Sequence, residues 1–268
     1  MDWTLPLVSF AVSLFTSMVG VSGAFLLLPF QMSILGFTTP SVSGTNLVYN
    51  LLATPSGIFR YLREGRLLWP LALPAAMGSL PGVALGAYAR AYWLADVKTF
   101  KLFAAAVLLI LGLRLLATRH TPKATPTAAT IIKTRPAKVV YRLGGETYSF
   151  SPPALTCLSA AVGLVGGAYG IGGGALLAPI LATVFKLPIY TTAGATLLTT
   201  FLTSTFGIAT YHALGHPPRW DIGIALGIGG AFGMYTGAHL QKYIPEKTLR
   251  TTLAAITFII ATTYIANP

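Results

Sequence analysis

The chain has 268 residues, 54% of them hydrophobic and 9% charged, a mean hydropathy of +0.71, and 18 basic against 6 acidic residues for a net charge of +12. Soluble globular domains carry about 25% charged residues, so this composition excludes one and calls for a polytopic membrane protein. The single cysteine, Cys157, rules out an internal disulfide framework and reads as a small apolar filler in a lipid-embedded helix, and no Cys/His spacing suits zinc.

The opening MDWTLPLVSF lacks a basic n-region, so the first apolar run is expected to stay in the mature protein. Residues 5–36 are apolar throughout but interrupted by VGVSGA at 19–24. That is too long for one straight span and too broken for one helix. It predicts two short helices meeting at the glycines, as a re-entrant hairpin or as two tilted crossings. Runs near 41–59, 67–89 and 99–117 are each long enough to cross a core of about 30 Å. The polar stretch that follows, TRHTPKATPTAATIIKTRP, has a composition that cannot bury a core and predicts a mobile linker. Its end, KVVYRLGGETYSF, alternates apolar and polar residues around Gly144-Gly145, which suits a β-hairpin as well as an unstructured basic loop. A second broken region, 154–187, carries YGIGGGA at 169–175, and spans near 191–211, 220–240 and 249–265 complete the chain.

The chain repeats itself at a shift of 150 residues. VSGAFLLLPF at 21–30 falls on IGGGALLAPI, pairing Gly23 with Gly173 and Pro29 with Pro179. SGTNL at 43–47 falls on AGATL, Gly57 on Gly207 and Tyr61 on Tyr211; with a slip of one, Gly82 and Gly86 fall on Gly233 and Gly237. The predicted organisation is a first transmembrane repeat over 1–116, a basic linker over 117–150 and a second repeat over 151–268. The linker holds Arg119, Lys123, Lys133, Arg135, Lys138 and Arg142, and the other basic residues mostly flank apolar runs. This is the positive-inside pattern rather than a nucleic-acid footprint. It puts the linker in the cytoplasm and both termini outside, which requires an odd number of crossings per repeat and therefore inverted copies; Arg90, Lys98 and Lys101 fit that orientation less well. The expected fold is an all-α polytopic membrane protein of two inverted repeats, each a broken-helix hairpin plus three transmembrane helices.

The repeated Gly-rich break before an apolar stretch and a proline, GAYGIGGGALLAPIL echoed by SMVGVSGAFLLLPFQ, together with SGTN and AGAT in the next segments, resembles the TauE/SafE family of sulfite and sulfonate exporters. The resemblance spans both halves and omits the linker; the first-half motif departs from it with Ser22 and Ala24 where the second has Gly172 and Gly174. It implies a secondary transporter, a probable exporter, of small sulfur-containing anions such as sulfite or organosulfonates, in a bacterial or archaeal inner membrane.

The breaks have a physical use. Interrupting a helix frees backbone N–H groups and sets a positive dipole end where an anion could sit. If the two breaks face each other, Gly20, Ser22 and Gly23 meet Gly170, Gly172, Gly173 and Gly174, and the next spans add Ser43, Thr45, Asn46 and Asn50 from one half and Thr196, Thr199 and Thr200 from the other. Hydroxyls and carboxamides are cheaper to bury than a fixed charge, and three sulfonate oxygens could accept from them. A threonine in a membrane helix often bonds only its own i−4 carbonyl, so Asn46 and Asn50, one turn apart on one face, are the firmer candidates and Gln31 a weaker one. Gly78, Gly82, Gly86, Gly227, Gly229, Gly233 and Gly237 read instead as helix-packing contacts.

Asp2, Glu64, Asp96, Glu146, Asp221 and Glu246 all fall in termini, loops or span ends, which disfavours an antiporter that holds its ion on a buried carboxylate. His212, His216 and His239 lie by a loop or a span end, and Lys186 suits a snorkelling interfacial lysine. GIGGG follows no strand and precedes no GK[ST], and no nucleophile, base and acid gather, so an enzyme is not expected. No cofactor and no metal is predicted; the partners are the anion and the lipid bilayer, with possible proton or ion coupling, as monomer or homodimer. An anion channel, or a transporter of another small solute, would use the same donors.

Overall fold

The computed structural model describes residues 3–18, 21–117, 129–240 and 246–267. Helices α1 (Thr4–Met18), α2 (Ala24–Ser33), α3 (Ser41–Ala53), α4 (Pro55–Arg63), α5 (Trp69–Tyr92) and α6 (Val97–Ala117) come first. Strands β1 (Thr130–Arg135), β2 (Lys138–Leu143) and β3 (Glu146–Phe150) follow, then α7 (Pro152–Tyr169), α8 (Gly173–Val184), α9 (Ile189–Ala213), α10 (Trp220–Leu240) and α11 (Glu246–Ala266). Among the described residues, four helical stretches are long and apolar enough to cross a membrane: Trp69–Tyr92, Val97–Ala117, Pro152–Tyr169 and Lys247–Ala266. Leu73, Met77, Leu85, Leu113 and Ile259 point outward, whereas Ser13, Gln31, Asn46, Ser79 and Thr203 are fully buried. An apolar exterior around a polar interior is what a hydrocarbon solvent selects, and the chain is an all-α, multi-pass membrane protein with a small sheet in its linker.

Small residues set the packing. An added Cβ on Gly78, Gly82 and Gly86 of α5 would lie 2.1, 2.2 and 2.1 Å from the carbonyl oxygens of Thr156, Ala160 and Leu164 on α7. On Gly229, Gly233 and Gly237 of α10 it would lie 2.0, 2.3 and 2.3 Å from those of Pro6, Phe10 and Leu14 on α1. Only glycine lets these backbones approach so closely. The second seam repeats the first with the halves exchanged, and the same holds elsewhere: Gly44 packs on Tyr211 and Gly194 on Tyr61, Gly57 on Leu197 and Gly207 on Leu47.

The residue order along each seam also shows direction. In both seams the numbers rise together, so α5 runs alongside α7, and α10 alongside α1, in the same sense. The Tyr141 hydroxyl on β2 bonds the Thr191 hydroxyl at 2.9 Å, which puts the connection between α8 and α9 at the linker end of the bundle, where α7 also starts. At the other end, Lys101 Nζ donates to Asn267 O at 2.9 Å and Ser33 pairs with Tyr264 at 3.1 Å. The α7–α8 pair therefore enters and leaves through the linker end, and α1–α2 through the opposite end.

The apolar run over 41–59 is two helices rather than one. Pro55 has no N–H to continue α3, and the Thr54 N–H and hydroxyl both turn back to Asn50 O, at 3.0 and 2.8 Å. At the aligned position α9 has Thr205 and continues unbroken to Ala213. In the linker, β2 and β3 pair antiparallel around Gly144 and Gly145, whose φ of 58° and 89° match a two-residue hairpin turn. A third strand, β1, pairs with the other edge of β2 and is exposed along its length. Val139, Tyr141, Leu143 and Phe150 are buried. Burial pushes the Tyr141 phenol up to about 12 despite its bond to Thr191.

Candidate functional site

The second break is made by backbone conformation. α7 ends at Gly170 in the left-handed region, φ 87°, with its N–H on Gly166 O at 2.9 Å. Gly172 follows at φ 72° and ψ 161°, a region that only glycine occupies without strain, and α8 starts at Gly173. The Gly173 N–H, one of the donors a helix start leaves open, goes to Thr203 Oγ1 at 3.0 Å. Gly174 lies against α9, where a Cβ would be 1.8 Å from Thr196 O, and Gly170 lies against α3, where it would be 2.4 Å from Ser43 O.

The first break is held by side chains. Gly23 has ordinary helical dihedrals, φ −63° and ψ −13°, and is small because Tyr49 Oη and Ser13 Oγ crowd it, at 2.8 and 3.2 Å from a built Cβ. Ser22 Oγ donates to Asn50 Oδ1 at 2.7 Å and accepts from Ala24 N at 3.3 Å. Tyr169, the last residue of α7, reaches across to Phe25 O at 2.8 Å.

Asn46 joins the two breaks. Its Nδ2 donates to Ala24 O at 2.8 Å in the first and to Gly170 O at 3.1 Å in the second, while its Oδ1 accepts from Gln31 Nε2 at 3.2 Å. Ser43, one turn earlier on α3, donates to Ala168 O at 2.9 Å. Gln31 Oε1, Asn50 Nδ2 and Ser204 Oγ are buried with no partner among the described residues. Such orphaned groups are costly and mark where a polar ligand or a second conformation would pair them. Between the breaks lies a crevice lined by Val21, Ser22, Phe25, Leu111, Ile171, Ala175 and Leu176, too narrow for a water molecule.

Of the sequence-derived site residues, the structure gathers Ser22, Gly23, Ser43, Asn46, Asn50, Gly170, Gly172, Gly173 and Gly174 at this junction. Gly20 lies outside the described residues. Thr45 turns away from it: its hydroxyl donates to Ser41 O and accepts the Arg219 N–H, both at 2.8 Å. Thr196, Thr199 and Thr200 bond carbonyls of their own helix, at 3.0, 2.9 and 2.9 Å, which leaves only lone pairs toward the break. Sequence reasoning missed Thr203 and Ser204, which continue the Thr199–Thr200 face of α9 by one turn and were within reach of helical periodicity. It also missed Ser13, Tyr49 and Ser79, which sit in helices read only as spans or packing seams. Cys157 is exposed on α7 rather than filling the interior of the bundle.

The charged groups stay at the ends. Asp96 accepts the Thr99 N–H at 2.9 Å, which with the Thr99 hydroxyl holds its carboxyl below the usual range. Asp221 is likewise held low by Arg219, at 2.6 and 2.9 Å. No cluster of three metal-ligating side chains occurs among the described residues.

A family model described as sulfite exporter TauE/SafE matches residues 5–264. The chain is 26% identical over 242 residues to the probable membrane transporter protein YunE of Bacillus subtilis (strain 168), covering 87% of this chain and 86% of that one. It is 24% identical over 259 residues to the probable membrane transporter protein y4hK of Sinorhizobium fredii (strain NBRC 101917 / NGR234), covering 95% and 94%. No solved structure matches. The chain belongs to the TauE/SafE family of membrane transporters.

Proposed function

We propose, from its membership of the TauE/SafE family, that this protein carries small sulfur-containing oxyanions, sulfite or organosulfonates, across the inner membrane by alternating access. The junction at Asn46 carries the reading: one carboxamide ties the two breaks together, and orphaned polar groups of Gln31, Asn50 and Ser204 lie buried in the same polar layer. A transporter needs its two half-sites to part and re-close around a ligand, and a few side-chain bonds are easier to exchange than a continuous helix is to break.

The exchanged contacts support two copies related by a two-fold axis, and hairpins that open at opposite ends support inversion of one copy against the other. The basic linker then faces the cytoplasm and both termini face out. Arg90, which weighs against that orientation when counted as a loop charge, is buried within the bundle and drops out of the count.

Purified protein is expected to gain thermal stability with sulfite or an organosulfonate and not with carboxylate analogues, because a ligand of the native state shifts stability by mass action. No shift with any sulfur anion, in protein shown to be folded, would overturn the substrate assignment. Sustained single-channel current in planar bilayers would overturn alternating access.

A further inference from the structure

Arg90 lies in the last turn of α5, at the end of the bundle away from the linker, and is fully buried. Its guanidinium lies over the Phe100 ring at 3.7 Å, donates from Nη2 to Thr38 O at 3.0 Å and from Nη1 to Leu94 O, and leaves its Nε–H without a partner. No carboxylate among the described residues pairs with it. A buried cation held only by carbonyl dipoles and a ring face is an incomplete arrangement, and an oxyanion is the species that completes it.

The surroundings lead inward. Tyr211, near the end of α9, packs on Gly44 and donates to Gly167 O at 2.9 Å. From Thr38 the line continues down one face of α3 through Ser43, on Ala168 O, to Asn46, on Gly170 O. The exchanged pair at the linker end differs in charge. There Tyr61 packs on Gly194 with the Arg66 guanidinium 4.7 Å from its ring centroid, and Arg66 is ion-paired to Glu64 at 2.7 Å. One end thus offers an arginine paired with a carboxylate and the other an arginine that pairs with none among the described residues.

We infer that Arg90 is an anion-binding residue at the linker-distal mouth, where it holds the permeant oxyanion on its way between that face and the paired breaks. The inference rests on the transport reading for the identity of the anion but not for the binding itself. A planar guanidinium fork suits a sulfonate or sulfite, and a side chain serving only to cap α5 would gain nothing from lying unpaired with any carboxylate among the described residues.

The test is flux of sulfite or isethionate in oriented proteoliposomes, with half-saturation measured separately at each face. Arg90→Met is expected to raise half-saturation at the linker-distal face by about tenfold and to leave the linker face within about twofold, as the loss of one charge-assisted contact would. Equal values for variant and wild type at the distal face, or an equal rise at both faces, would overturn the inference and leave Arg90 as a fold residue. Should Arg90→Met fail to fold, the wild-type protein decides: isethionate should slow modification of Arg90 by phenylglyoxal, read by peptide mass spectrometry, and an unchanged rate would overturn the proposal. The same protection experiment separates the two readings, since wild-type protein that moves no sulfur anion refutes transport while protection of Arg90 still reports binding.

Discussion

The two breaks place the same pairs of positions in contact and hold them by different chemistry. Positions 24 and 46 of the first half align with 174 and 196 of the second. In the first, the Asn46 carboxamide reaches Ala24 O; in the second, Gly174 presses directly on Thr196 O. Positions 22 and 50 align with 172 and 200, and again a side-chain bond, Ser22 to Asn50, stands where Gly172 packs on Thr200. One half is stitched by amide and hydroxyl groups that can let go and re-form, while the other is fixed by positive φ and close backbone approach. The degenerate first motif, with Ser22 and Ala24, follows from this, because neither residue takes a positive φ that would require glycine.

The largest expected effect is at position 174. Gly174→Ala puts a methyl group where Thr196 O and Thr200 Oγ1 stand, 1.8 and 2.4 Å away, and should cost about 3 kcal/mol or more, or prevent folding. The reverse change at the aligned site, Ala24→Gly, should cost about 1 kcal/mol or less. Apparent melting temperatures and gel-filtration profiles in detergent measure both, and a Gly174→Ala protein as stable as Ala24→Gly would break the contrast.

Next is a pair for which the halves should behave alike. Gly82→Ala and Gly233→Ala each drive a Cβ to within 2.2 and 2.3 Å of a carbonyl oxygen in the exchanged seams. Both should lose about 2 to 3 kcal/mol, and losses that differ by more than about 1 kcal/mol would show that the seams are not energetically equivalent. Asn46→Leu should follow. It removes the Asn46 bonds to Ala24 O, Gly170 O and Gln31 Nε2, at a cost of about 1 to 3 kcal/mol, and should cut transport more than stability if the two breaks must re-close through this side chain. Flux normalised to folded protein separates the two outcomes.

How far the sequence carried depended on where each signal lay. Glycine clusters in apolar runs marked both breaks, since positive φ at Gly170 and Gly172 and close approach at Gly23 and Gly174 both call for glycine. The shift of 150 residues likewise aligned the positions that the exchanged glycine contacts pair. What the chain hid were facts of tertiary direction. Thr45 shares the SGTN segment with Asn46 but, one residue along a helix, points about 100° away and caps the approach of Arg219. Arg90 looks like a loop charge by position and is buried because the segment before α3, at Thr38, and α6, at Phe100, close over the end of α5. Strand β1 carries no buried face, so alternation could not find it.

The smallest effect concerns how the linker sheet meets the bundle at its linker end. Burial raises the Tyr141 phenol from the ordinary 10 to about 12, so the folded state favours the neutral form. The stability this contributes is complete below about pH 10, where the unfolded chain is also neutral, and is lost as pH rises from there through about 12. Tyr141→Phe keeps the ring, breaks the 2.9 Å bond to Thr191 and should cost about 1 kcal/mol. It should also abolish that alkaline loss, while Tyr148→Phe should not, because Tyr148 only stacks beside it at 5.6 Å. Melting curves of the three proteins between neutral pH and pH 11 decide it. If wild type and Tyr141→Phe fell together, the sheet's contact at Thr191 would contribute nothing to holding the second hairpin in place, and the asymmetry between the two breaks would have to reside wholly in the glycines.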